Sequence, residues 1–192
     1  PGWERTTNGK NEFHEKAYGE GLIDGVEVAN SLTFYPNMID RCLEEKLFMA
    51  ANTDAHRPTA QVWGGTNEFF RTMTFVLAKS CDEESIKEAL KSRRTIGYSG
   101  NHLVGEERYL AAFIDAAVEC KVISEDDKRC TYSLTNRCSV PFMLFHQNNT
   151  YKLEPFKSLC FSFRKGLPPT FVVENMWHID YQHPKVTFEI SK

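Results

Sequence analysis

The sequence predicts an α/β layer or barrel followed by a small antiparallel β-sandwich, on three observations. Strand-like and helix-like stretches alternate up to about residue 121. From Lys128 the helical period disappears, and short β-rich runs recur between turn residues over about 65 positions. The most informative stretch is 47–56, an apolar run that ends in Asp54-Ala55-His56. A strand buried on both faces delivers polar groups at its carboxyl end in this way, and sites in parallel α/β folds gather there.

Taken in order, Gly25-Val26-Glu27-Val28-Ala29-Asn30 reads as the first clear strand. Pro36 then stands where a first helical turn accepts it, with Met38, Ile39, Cys42 and Leu43 forming one apolar face before Lys46. The run at 47–51 is the next strand, and a polar, glycine-containing loop is expected over 57–68. Residues 73–78 give another strand. In the helix that follows, Asp82, Glu83 and Glu84 fall in the first turn and Lys91, Arg93 and Arg94 in the last, charges matched to the helix dipole. Residues 95–98 supply a short strand, and Gly97, Gly100 and Gly105 punctuate a loop around it. Leu110, Phe113, Ile114, Ala117 and Val118 mark a further amphipathic helix. The tail offers strands at 130–135, 142–146, 159–163, 171–173 and 186–190, separated by Asn148-Asn149, Gly166 and Pro168-Pro169. The domain boundary is placed in the acidic stretch 124–127, giving domains 1–125 and 126–192.

The 192 residues, 41% hydrophobic and 12% aromatic, are ample for a core. The net charge of -3 comes from 23 basic and 26 acidic residues that are interspersed, without a basic stripe to follow a phosphate backbone, so nucleic acid is not an expected partner. No apolar run approaches the roughly 18 residues of a membrane span, and residues 1–20 are polar, so neither a membrane nor a signal peptide is expected. Pro1 is not a natural start, and the chain reads as trimmed. The six cysteines have no metal-ribbon spacing; Cys42 and Cys120 read as small core residues, and Cys130 and Cys138 are close enough in sequence to flank a hairpin.

Asp54 and His56 are the candidate metal ligands, since residues two apart on an extended strand point to one side. A carboxylate with a neutral imidazole suits zinc, manganese or iron better than calcium. Glu27, near the end of its strand, either orients a ligand or bound water or pairs with a nearby cation. Arg57 and Arg71 are candidates for holding a substrate phosphate through a bidentate fork, against a plain surface role. His14 and His102 have no ligand spacing to other residues, and Trp3 and Trp63 either line a cleft or pack a loop down. GxSxG, HExxH and a phosphate-cradling glycine loop are all missing. Asn148-Asn149-Thr150 fits a glycosylation acceptor or a plain turn.

Pro1-Gly2-Trp3, Gly25 to Asn30, Asn52-Thr53-Asp54-Ala55-His56, Arg71-Thr72-Met73-Thr74-Phe75-Val76, Arg94-Thr95 and Gly100-Asn101-His102-Leu103-Val104-Gly105 together resemble the second half of a PHP-family protein. The tail resembles the β-domain that ends one bacterial branch of that polymerase and histidinol phosphatase family. The resemblance implies an incomplete (β/α)7-type barrel followed by the sandwich. It also implies two or three divalent ions, zinc, manganese or iron, hydrolysing phosphate esters. Of the family's ligands, an early His-x-His, a Glu, further His residues and a His directly before Pro-Gly-Trp would lie outside these residues, and only the late Asp-x-His is present. Two ligands give no closed cage, so metal occupancy and activity of the chain alone are not expected. An open half-barrel would favour a dimer or a retained N-terminal fragment. The resemblance favours an exported, periplasmic protein, while the cysteine spacing tolerates a cytoplasmic one. The alternative is a non-enzymatic binding or interaction module built on the sandwich.

Overall fold

The computed structural model describes residues 12–63, 70–179 and 182–190, with the side chains of Thr59 and Trp63 set aside. Pro1-Gly2-Trp3 and the side chain of Trp63 therefore lie outside the described residues. The chain is mixed α/β, built mostly of strands, and divides into two compact units, Pro1–Gly100 and Asn101–Lys192.

The first unit contains α1 (Glu12–Gly19), β1 (Gly25–Asn30), β2 (Thr33–Phe34), α2 (Asn37–Glu44), β3 (Phe48–Asn52), α3 (Thr59–Trp63), β4 (Met73–Val76), α4 (Glu83–Lys91) and β5 (Thr95–Ser99). β1 pairs in parallel with β3, from Gly25 opposite Phe48 to Asn30 opposite Asn52, with a bulge between Glu27 and Ala29. Their inward side chains Val26, Val28, Met49 and Ala51 are buried, and α2 adds Ile39 and Cys42. Burial pushes the Cys42 thiol up to about 12, consistent with an inert core residue. The parallel layer expected from the alternation does not run through the unit, because β4 and β5 pair antiparallel. Apolar periodicity marks a strand and carries no information on its direction.

Threonine hydroxyls take the place of a neighbouring strand along the second edge of β3. The Met49 N–H donates to Thr95 Oγ1 at 3.1 Å, and the Ala51 N–H donates to Thr74 Oγ1 at 2.8 Å. Thr74 Oγ1 in turn donates to the Ala51 carbonyl at 3.0 Å. Each buried N–H left without such a partner would cost about 1–3 kcal/mol, so these two side chains fix β3 against β4 and β5.

The ends of α4 are fixed by side chains. Asp82 is the N-cap, its carboxylate accepting from the Ser85 N–H at 2.8 Å, and Arg94 forks onto Glu88 while its Nε donates to the Leu77 carbonyl at 3.0 Å. The Arg94 guanidinium, followed by the Ser92 hydroxyl, holds the Glu88 carboxyl down at about 2. A depressed folded value means that this carboxylate favours the folded state above its ordinary 4.5, and that the contribution is lost as pH falls towards about 2. Carboxyl NMR titration should place Glu88 at about 2, and Glu88→Gln should flatten the acid limb of stability across that window; a midpoint at 4.5 would contradict the contact.

The second unit contains β6 (His102–Gly105), α5 (Glu107–Ala117), β7 (Val118–Glu125), β8 (Arg129–Asn136), β9 (Phe142–His146), β10 (Asn149–Leu153), β11 (Ser158–Arg164), β12 (Thr170–Val173), β13 (Met176–Trp177) and β14 (Lys185–Thr187). Two antiparallel sheets have the orders β10-β9-β12-β14 and β11-β8-β7, and β13 pairs in parallel with β6. Rings on the two sheets meet: Phe171 of β12 lies 4.7 Å from Phe161 and 5.8 Å from Phe163 of β11, edge to face.

Several expectations change here and in the preceding unit. The 57–68 loop contains α3, and His102 opens β6 rather than a loop. Val118 and Cys120, which continue the apolar spacing of α5, belong to β7; the backbone leaves the helix at Val118, with φ -118° and ψ 114°. β10 leaves no apolar signal because four of its five residues are exposed and polar or amphipathic. Cys130 and Cys138, by contrast, keep to the unpaired reading and are free thiols. The 124–127 stretch holds the end of β7 and the start of the turn into β8. No helix among the described residues is long and apolar enough to cross a membrane.

Candidate metal centre

Parallel pairing brings the carboxyl ends of β1 and β3 side by side, with Asn30 opposite Asn52. The chain then turns sharply at both ends. Ser31, at φ 52°, donates its N–H to the Asn52 carbonyl and its hydroxyl to the Thr53 carbonyl, both at 2.8 Å. Its own carbonyl accepts from the hydroxyls of Thr72 and Ser99, two buried side chains whose oxygens lie 2.9 Å apart. The turn after β1 is thereby tied to the start of β4 and the end of β5.

β3 stops at Asn52, so Asp54 and His56 stand beyond the strand rather than on it. Asp54 adopts φ 50°, a left-handed conformation that breaks the extended geometry assumed from the Asp-x-His spacing. The turn nevertheless brings the two side chains together, with His56 Nε2 3.3 Å from Asp54 Oδ1. Two donors bound at 2.0–2.2 Å to one ion in near-tetrahedral geometry stand roughly 3.3–3.5 Å apart, so this separation fits two neighbouring positions of a coordination shell. Both side chains are open to solvent, 59% exposed for Asp54 and 88% for His56. Among the described residues no group of three or more His, Cys, Asp or Glu side chains converges on a cation position. The pair fits a metal as part of a donor set, not as a complete one.

Glu27 lies in the same corner of the unit. Its Oε1 accepts from the Asn52 amide at 2.6 Å and its Oε2 from the Asn30 amide at 3.1 Å. The partners found for Glu27 are thus amides, not a cation. Sequence reasoning gives Asn30 and Asn52 no role beyond ending their strands; the available signal is their position, at matching ends of two strands with a glutamate between. Arg57 follows His56 in a bend, and Arg71 stands two residues before the start of β4; both are exposed. Among the described residues, no hydrogen bond or ion pair joins either arginine to Asp54, His56 or Glu27. His14 packs against Phe13 on α1, and His102 lies 6.3 Å from the Trp177 ring.

No family model matches the chain, and no curated protein does. The chain is similar to a solved structure from Bacteroides vulgatus, a crystal structure of a two-domain protein containing a predicted PHP-like metal-dependent phosphoesterase. The two share 28% sequence identity and superpose with a TM-score of 0.87 over 96% of this chain. This chain spans 58% of the length of that one.

Proposed function

We propose that the chain is the carboxyl-terminal portion of a PHP-like metal-dependent phosphoesterase, with Asp54 and His56 as two of its metal ligands. The observation that carries this reading is their 3.3 Å approach at the end of the β1–β3 pair, in a chain similar over nearly its whole length to a PHP-like protein. In this reading a barrel-derived portion is followed by a sandwich, and Val118–Glu125 belongs to the latter through the β11-β8-β7 sheet. The remaining ligands would come from outside these residues.

Zinc, manganese or iron at such a site would act as a Lewis acid on a phosphoryl oxygen and acidify a bound water. The chain's own residues have separable tasks. His56 offers a neutral nitrogen and Asp54 a charge-neutralising carboxylate. Glu27 holds the Asn30 and Asn52 amides, and through Asn52 the last strand residue before the ligand turn, so it positions rather than reacts. Arg57 and Arg71 are proposed as phosphate-binding cations at the rim, because both are exposed and free of the ligand contacts.

The test compares this chain with the same chain extended upstream, by elemental analysis and by hydrolysis of p-nitrophenyl phosphate with each metal. The extended protein should carry metal and lose hydrolysis to a chelator, while the 192-residue chain binds metal weakly. A metal-free, inactive extended protein would overturn the proposal.

A further inference from the structure

A second charged site lies in the other unit, at the end of the β7–β8 hairpin where β11 finishes. Antiparallel register sets Arg129 of β8 directly opposite Arg164 of β11. Like charges facing each other across strands destabilise a sheet. Arg129 turns sideways instead, donating from Nε to Ser162 Oγ at 2.8 Å and from Nη2 to the Ser162 carbonyl at 2.6 Å. Arg164 makes no side-chain hydrogen bond or ion pair among the described residues. Together with Lys128 and Lys165 the two arginines line an open hollow of about 760 Å³, within the range of small-ligand pockets.

The acidic residues nearby are mostly committed elsewhere. Asp126 Oδ1 accepts the backbone N–H groups of Lys128 at 2.7 Å and Arg129 at 2.8 Å, and these bonds hold its carboxyl below the usual carboxylate range. That turn is also tied to β11 by the Lys165 N–H donating to the Lys128 carbonyl at 2.8 Å. Glu125 pairs with Lys165 at 2.8 Å, which leaves Asp127 as the carboxylate on the lining. The hydrogen bonds thus fix the backbone of a concave surface on which four cations face one lining carboxylate, Asp127, and on which Lys128 and Arg164 make no ion pair among the described residues. Breaks in local consistency of this kind concentrate at functional or strained sites.

We infer that this hollow binds a phosphate- or sulfate-type anion of at least two negative charges, gripped by the Arg164 fork with Arg129 and Lys128 around it. The anion is either free in solution or the headgroup of a lipid, and the chemistry recognised is the same. Binding at so exposed a site is electrostatic and weakens as salt rises.

Pyrophosphate is titrated at low ionic strength into the 192-residue chain, stripped of metal by a chelator that is then removed by desalting, followed by isothermal calorimetry and amide NMR, and the chain is co-sedimented with phosphatidic acid vesicles. Prior removal of metal keeps this test separate from the metal site, so failure of one proposal leaves the other standing. Amide shifts should centre on residues 126–129 and 164–165, and Arg164→Ala should weaken binding at least fivefold, with Arg164→Lys intermediate and the folded spectrum retained. Loss of pyrophosphate binding in the variant supports a free anion, and loss of vesicle binding supports a headgroup. No binding in either arm, or binding unchanged in Arg164→Ala and Lys128→Ala, overturns the inference.

Discussion

His56→Ala should lower kcat/KM for phosphate-ester hydrolysis by the metal-loaded, upstream-extended protein on the order of 10³-fold, about 4 kcal/mol of transition-state stabilisation. The size follows from what the imidazole would do. A metal ligand is not one contact among many; removing it changes the coordination number, the position of the ion and the acidity of its bound water together. Asp54→Asn should act in the same direction while preserving shape, because the amide keeps an oxygen donor and loses the charge that compensates the cation. Glu27→Gln should cost less, roughly 10- to 100-fold, the range found when the partners of ligating residues are removed. Glu27 accepts from two amides, at 2.6 and 3.1 Å, and a glutamine cannot accept at both of its terminal atoms. Metal content measured beside the rates separates the cases: His56→Ala loses metal, while Glu27→Gln keeps most of it. Wild-type rates in His56→Ala would remove this residue from the chemistry.

The elements positioning that pair are legible in the sequence to different degrees. Gly25–Asn30 and the apolar stretch before Asp54 declare themselves by composition and length, and Pro36 announces α2. Strand direction leaves no trace, so the antiparallel β4–β5 pair cannot be read from Met73–Val76 or Thr95–Ser99. Thr74 and Thr95 look like ordinary β-formers; their hydroxyls serve β3 from strands 23 and 46 residues further along, a relation no local pattern encodes. Asp-x-His is legible as a pair, but the geometry that unites it is a left-handed turn at Asp54, not a pleated strand. In the tail, alternation reveals β8 and a short apolar run reveals β9, while neither marks β10, whose exposed residues resemble those of the turn before it. The Arg129–Arg164 opposition exists only once register is known, since the strands that carry the two are separated in sequence by β9 and β10.

Asn175→Ala should destabilise the second unit by about 3 kcal/mol, lowering its thermal midpoint by roughly 12–24 °C, with β13 and the segment before β6 losing amide protection first. Asn175 is 4% exposed and spends its whole side chain on the backbone. Its Nδ2 donates to the carbonyls of Asn101 at 2.7 Å and Pro141 at 2.8 Å, and its Oδ1 accepts from the Met143 N–H at 2.9 Å. Its own carbonyl accepts from the Leu103 N–H at 2.9 Å. One side chain therefore joins β9 to the loop before β6 and to the entry of β13. Alanine strands one donor and two acceptors at once, and each buried polar group left without a partner costs about 1–3 kcal/mol. Asn175→Asp is the sharper variant, because the new carboxylate would direct an oxygen at two carbonyl oxygens that previously received a hydrogen. Burial and that repulsion raise the carboxyl's folded value above its unfolded one, so the folded state holds the proton more tightly. The variant should accordingly regain stability as pH falls through that raised value, opposite in sign to Glu88, whose contribution disappears on acidification. Urea melts at about pH 7 and about pH 5 check this directly. A pH-independent deficit in Asn175→Asp would mean that the carboxylate escapes to water and that the three-way junction is not fixed by this side chain.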